Sequence, residues 1–134
     1  MKTHPLILAV LLLAGCSAVP GTFQLQETAR YSIENTGKFA PLDPATSAAV
    51  VCTGLQEHTG RDGRLEVVAN VMNRGSGRRV VQVRCVFKDA NGFSTGDETA
   101  WQVLRLEGDA TEAVRFVSLN NRARLYTVAV RAPR

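Results

Sequence analysis

The sequence has few of the residues on which catalysis and metal binding usually depend. It contains two histidines and three cysteines among 134 residues. Neither a Cys-x-x-Cys nor a His-x-His motif occurs, which argues against the common zinc and redox sites. His58 is the only histidine beyond the first few residues, and no nucleophile can be named that it would activate. We therefore expect no catalytic residue, no bound metal and no cofactor.

The sequence also has no segment with a convincing helical stripe and no concentration of charge of one sign. The formal net charge is +4, with 16 basic and 12 acidic residues interspersed along the chain. A nucleic-acid-binding domain needs basic residues gathered on one face. Nucleic acid is therefore not an expected partner.

The first residues are arranged as an export signal. Lys2 provides a positive charge, residues 5–13 are an unbroken apolar run, and the small residues Ala14 and Gly15 follow. The apolar run is shorter than the roughly 20 residues that a membrane-spanning helix needs. We predict a signal peptide over residues 1–15.

Cys16 follows directly, and Leu-Ala-Gly-Cys at residues 13–16 resembles the lipobox of bacterial lipoproteins. The resemblance implies that Cys16 is lipidated and becomes the first residue of the mature chain. In enteric bacteria an aspartate after this cysteine favours the inner membrane. Ser17 stands there instead, so the expected location is the outer membrane, with the domain facing the periplasm.

The remaining chain divides into a tether and one domain. Residues 16–47 contain scattered proline and glycine without periodicity, which predicts a lipidated amino terminus and a flexible tether, with a short strand near residues 31–33. Residues 48–134 alternate apolar and polar residues in short runs separated by turn residues. The pattern predicts a single antiparallel all-β sandwich of six to seven strands. A small barrel is the alternative.

Two of these runs, residues 64–73 and 79–88, flank a glycine-rich turn and are predicted to pair as a hairpin. Their alternation gives an inward ladder: Leu65, Val67, Ala69 and Val71 opposite Val81, Val83, Cys85 and Phe87. The outward residues are only partly polar. They provide a candidate interaction surface of Val68, Met72, Val80, Arg84 and Val86. The alternative is that another segment of the chain covers these residues.

Two cysteines remain once Cys16 is lipidated. Cys52 and Cys85 would face an oxidising compartment in which a disulfide can persist. They are therefore a candidate disulfide pair. The alternative is two separate buried thiols, since free cysteine behaves as a small hydrophobic residue.

Residues 65–130 resemble the YcfL family of small bacterial lipoproteins. The matching runs are Val-Met-Asn-Arg at 71–74, residues 83–87 leading to Asp-Ala-Asn-Gly at 89–92, Trp-Gln-Val-Leu at 101–104 and Asn-Arg-Ala-Arg at 121–124. The resemblance implies one β-sandwich domain with an immunoglobulin-like arrangement on a lipid anchor. It brings no catalytic residues and gives no support to the disulfide.

These observations predict a non-enzymatic, lipid-anchored envelope lipoprotein. Its expected partners are the membrane, through Cys16, and another envelope protein for which it serves as an interaction or assembly module. The alternative is a lipoprotein that binds a ligand such as a cell-wall fragment, a lipid or a metal. Arginines near one predicted turn, at residues 74, 78 and 79, would supply charge for phosphates or carboxylates.

Overall fold

A computed structural model describes residues 37–134 and shows eight strands and one short helix. The predicted all-β sandwich is confirmed, with eight strands in place of six or seven. The elements are β1 (Phe39–Pro41), α1 (Pro44–Ala49), β2 (Val50–Thr59), β3 (Leu65–Asn73), β4 (Arg79–Lys88), β5 (Ser94–Glu98), β6 (Gln102–Leu106), β7 (Thr111–Val117) and β8 (Leu125–Arg131).

The strands form two sheets. In sheet A the order is β1, β8, β4, and the far side of β4 is shared by β5 at one end and β6 at the other. Sheet B has the order β2, β3, β7. β1 pairs with β8 in parallel, and the other pairings are antiparallel. The hydrophobic core lies between the two sheets.

The predicted inward residues of β3 and β4 do form this core. Val67 and Val71 of β3 and Val83 and Phe87 of β4 are completely buried. Each such side chain contributes roughly 1.5–3 kcal/mol by leaving water. Alternation with a period of two residues therefore identified the buried face of both strands correctly.

The predicted hairpin between β3 and β4 is wrong. β3 pairs with β2 and β7 in sheet B, whereas β4 pairs with β5, β6 and β8 in sheet A. The residues between them cross from one sheet to the other. Each strand presents one apolar face. That face is buried equally well whether the two strands lie in different sheets on opposite sides of the core or pair side by side in one sheet. The alternation alone does not distinguish the two arrangements.

Asn73 holds this crossing in place. Its side chain is completely buried. Asn73 Nδ2 donates to the carbonyl oxygens of Gly77 at 2.7 Å and Glu107 at 3.1 Å, and its Oδ1 accepts from the Gly75 N–H at 2.9 Å. One side chain thus joins the β3–β4 crossing to the loop between β6 and β7.

The folded domain begins before the predicted boundary at residue 48. β1 and α1 lie within residues 39–49, which the sequence assigned largely to the tether. Asp43 caps α1 by accepting from the Thr46 N–H, and it also accepts from the Ala132 N–H. Burial alone would raise the pKa of Asp43, but these hydrogen bonds hold it below its ordinary value. The start of the domain is therefore tied to the end of the chain.

Several predicted features lie outside the described residues. They are the signal peptide, the lipidated Cys16, the strand near residues 31–33 and most of the tether. Within residues 37–134, no helix has the length and apolar character that crossing a membrane requires.

Candidate functional site

The interaction surface predicted from the sequence is divided between the two sheets. Val68 and Met72 lie on the outer face of sheet B, opposite to the buried residues of β3. Val80, Arg84 and Val86 lie on the outer face of sheet A. The core separates these faces, so the five residues cannot form one patch. The prediction is wrong because it assumed that β3 and β4 belong to one sheet.

The residues on sheet A also differ in exposure. Val80 is 36% exposed, whereas Val86 is only 3% exposed. Val86 lies on the central strand and is flanked by Thr127 of β8 and Glu98 of β5. It is therefore unavailable to a partner.

A groove opens along one side of the sandwich, between β1 of sheet A and β2 of sheet B. Its volume is about 440 Å³, within the roughly 300–1,000 Å³ typical of ligand sites. β1 has three residues and β2 has ten, so β1 lies beside only part of β2. The groove is lined by Phe39, Pro41, Ser47, residues 50–55 and Arg74.

The floor of the groove is the margin of the hydrophobic core. Phe39 and Leu55 are partly buried and pack against the core, and Val50 belongs to it. Cys52 is also partly exposed here. An apolar surface beside an open strand edge is the combination that extended-peptide sites use: side chains enter the groove while the backbone pairs with the strand.

β2 is an edge strand. Among residues 37–134 it pairs only with β3. The pairing shifts between Cys52 and Gly54, and this bulge leaves Thr53 exposed and without an opposing residue in β3. An edge strand offers unpaired backbone N–H and C=O groups to an added strand, and a bulge limits uncontrolled pairing. This edge can therefore accept a strand, although not along its whole length.

Polar and charged residues cluster near the carboxy-terminal end of β2. Lys38 Nζ lies 2.8 Å from Glu57 Oε2 and 5.3 Å from the centroid of the Tyr126 ring. The hydrogen bond from Lys38 lowers the pKa of Glu57, and burial together with the Glu57 charge raises the pKa of Tyr126 to about 12. A cavity of about 110 Å³ beside them is smaller than the roughly 300 Å³ of typical ligand sites.

The candidate disulfide is not formed, because Cys52 and Cys85 are both free thiols. Cys85 is buried in the core of sheet A, and Cys52 lies on β2 of sheet B, where its thiol donates to the Gly54 carbonyl at 3.3 Å. Burial raises the pKa of Cys52, and it raises that of Cys85 to about 12 with a contribution from Asp97. Neither thiol has the lowered pKa of a reactive cysteine.

The remaining polar candidates stay apart. His58 is exposed near the end of β2, opposite Glu66 of β3. In the part of the chain that the structure describes, no three side chains of the metal-binding types come together. Arg78 pairs with Glu107 at 2.7 Å, so one of the three clustered arginines already has a carboxylate partner.

Sequence reasoning missed the groove because it placed Phe39 and Pro41 in the tether. A three-residue strand is too short to show alternation. Pro41 at its end agrees with the confinement of proline to edge strands. The local signal that could have been used is the Asp43-Pro44 pair, which is typical of a helix start.

The model of a family described as "protein of unknown function (DUF1425)" matches residues 42–132. A solved DUF1425 family member from Shewanella sp. pv-4 is 22% identical, with a TM-score of 0.57 over 63% of this chain and 79% of that one. The crystal structure of Campylobacter jejuni cj0090 is 19% identical, with a TM-score of 0.56 over 72% of this chain and 98% of that one. At these identities the structures show a shared fold. No curated protein matches the chain.

Proposed function

This chain belongs to the DUF1425 family of proteins of unknown function, and we propose that it is a non-enzymatic, lipid-anchored envelope lipoprotein that binds an extended segment of another envelope protein. The observation that carries this proposal is the groove between β1 and β2. It combines an apolar floor with a strand that, among residues 37–134, pairs on one side only.

The mode of binding follows from this geometry. An extended segment would add to the edge of β2 by backbone hydrogen bonds and place alternate side chains against Phe39 and Leu55. Backbone pairing would supply much of the affinity, and the apolar floor would select residues of suitable size. The bulge at Thr53 would set how far the added strand can run.

Two features of the sequence support the proposed lipid anchor: the lipobox and the resemblance to the YcfL lipoproteins. Acyl chains on Cys16 would bury methylene groups at about 0.8 kcal/mol each, so several chains would hold the protein stably at a membrane. Ser17 favours the periplasmic face of the outer membrane. A domain fixed there would meet its partner by diffusion in two dimensions.

The anchor is tested by Cys16→Ser. The variant is expected to lose incorporation of labelled palmitate in growing cells and to move from the membrane fraction to the soluble fraction, or to accumulate uncleaved. Cys52→Ser is the matched control, because it removes another thiol and should leave labelling unchanged. Continued labelling of Cys16→Ser would rule out this anchor.

The groove is tested by placing a photo-crosslinking amino acid at Thr53 in intact cells. We expect adducts with a short segment of one envelope protein, identified by mass spectrometry. The same amino acid at Glu112 on β7, the other edge of sheet B, should not capture that protein.

A blocking variant makes the test specific. Val51→Lys places a charge at the groove and on the β2 edge, which discourages strand addition, and it should reduce the Thr53 adduct about tenfold. Because Val51 is partly buried, the variant should lose about 1 kcal/mol of stability, and thermal unfolding checks that it remains folded. Equal capture from Thr53 and Glu112, or an adduct unaffected by Val51→Lys, would contradict the proposed mode of binding.

A further inference from the structure

A second site lies on the outer face of sheet A and does not depend on the groove. Trp101 precedes β6, and its ring lies against two guanidinium groups. The Cζ atom of Arg131 is 3.9 Å from the ring centroid, and that of Arg84 is 4.7 Å. Stacking on an aromatic ring fixes the plane of a guanidinium group. Each of the two guanidinium groups is therefore held against the Trp101 ring.

The charges of these arginines are only partly balanced. Arg84 Nη1 pairs with Glu98 at 2.7 Å, and Arg131 Nε donates to the Gln82 side-chain oxygen at 2.9 Å. Within residues 37–134 no carboxylate forms an ion pair with Arg131. Among residues 37–134, two cations thus share one carboxylate, and no acceptor is bound to the terminal nitrogens of Arg131.

Two further observations indicate that the donors and positive charges of Arg84 and Arg131 are not fully balanced. Among the described residues Arg84 Nε is buried with no hydrogen-bond acceptor, a situation that is uncommon in folded proteins. Burial, followed by repulsion from Arg134 and Arg84, lowers the pKa of Arg131. Bringing an anion to this place would relieve the repulsion between the arginines.

We propose that Arg84, Trp101 and Arg131 form a binding site for an anionic phosphate group. Guanidinium groups match phosphate oxygens with pairs of parallel N–H donors. Arg131 would provide such a pair, and Arg84 would contribute its charge and its remaining Nη donor. The phosphate group could come from a free phosphate ester or from a phospholipid headgroup, and both present the same oxygens.

The site contains its own reporter, because Trp101 is the only tryptophan in the chain. The full-length protein is placed in vesicles of a neutral, phosphate-free lipid, digalactosyldiacylglycerol, and Trp101 emission is followed as inorganic phosphate is added against chloride at equal ionic strength. We expect a saturable change with phosphate and none with chloride. In a second arm, phosphatidylglycerol replaces part of the lipid; a change there without added phosphate identifies the headgroup as the source.

Matched variants distinguish a specific phosphate site from general attraction of phosphate to a positively charged surface. Arg131→Gln should raise the half-saturating phosphate concentration about tenfold, and Arg131→Lys should lie between it and the unchanged protein. Arg105→Gln, on an exposed arginine of β6, should change it less than about twofold. Thermal unfolding confirms that each variant is folded. The proposal is overturned if neither arm changes the emission, or if Arg105→Gln weakens binding as much as Arg131→Gln.

Discussion

Replacing Asn73 with alanine is expected to lower the free energy of unfolding by about 3 kcal/mol. The side chain is completely buried and donates to the carbonyls of Gly77 and Glu107 while accepting from the Gly75 N–H. Alanine would leave these backbone groups without partners in a place where water replaces them poorly. The loss of a buried acceptor or donor costs about 1–3 kcal/mol each, and relaxation of the loop recovers part of the sum.

Urea unfolding followed by circular dichroism measures this change. Asn70→Ala is the matched control, because Asn70 lies on the same strand with an exposed side chain, and it should shift stability by less than about 0.5 kcal/mol. A loss below about 1 kcal/mol for Asn73→Ala would mean that Asn73 does not hold the crossing between the sheets.

The second large effect is expected at Asp97. Asp97→Ala should lower the free energy of unfolding by about 2–3 kcal/mol. This residue of β5 is only 4% exposed, and its Oδ2 accepts from the Leu119 N–H at 2.5 Å and the Asn120 N–H at 3.3 Å. These bonds hold the connection that carries the chain from β7 in sheet B to β8 in sheet A. Alanine would leave the two N–H groups of the connection without acceptors.

Two further variants test whether the loss of stability comes from the hydrogen bonds that Asp97 accepts. Asp97→Asn keeps an oxygen acceptor without the charge and should lose about half as much, since a charged acceptor is roughly twice as strong as a neutral one. Glu98→Ala removes the neighbouring, more exposed carboxylate and should cost less than about 1 kcal/mol. If Glu98→Ala were the more damaging change, the ion pair with Arg84 would matter more than the buried connection.

The buried faces of the strands were predictable because a strand exposes its residues alternately. β3 and β4 show this in their sequences, and the class of fold follows from several such runs in succession. β5, with the sequence Ser-Thr-Gly-Asp-Glu, was not predictable. It lies at the margin of sheet A, has one buried residue, and owes its conformation to pairing with β4.

Sheet membership and the groove between β1 and β2 could not be predicted from the sequence, and for the same reason. Both depend on which strands meet after the chain folds back, and on contacts between residues far apart. Phe39 is near the groove only because β1 pairs with β8 at the other end of the chain. Trp101 and Arg131 likewise meet through sheet A, although the sequence gives no sign of it.

The pairing of β8 with β1 and β4 determines when sheet A can be completed as the chain is synthesised. β4, the central strand of sheet A, receives one of its neighbours from β8, which follows all the other described strands in the sequence. Contacts between such distant segments require the closure of long loops before they stabilise the chain, which slows folding. Sheet A cannot be completed until Leu125–Arg131 is available for pairing, so β1 and one side of β4 stay without this partner until β8 has been synthesised.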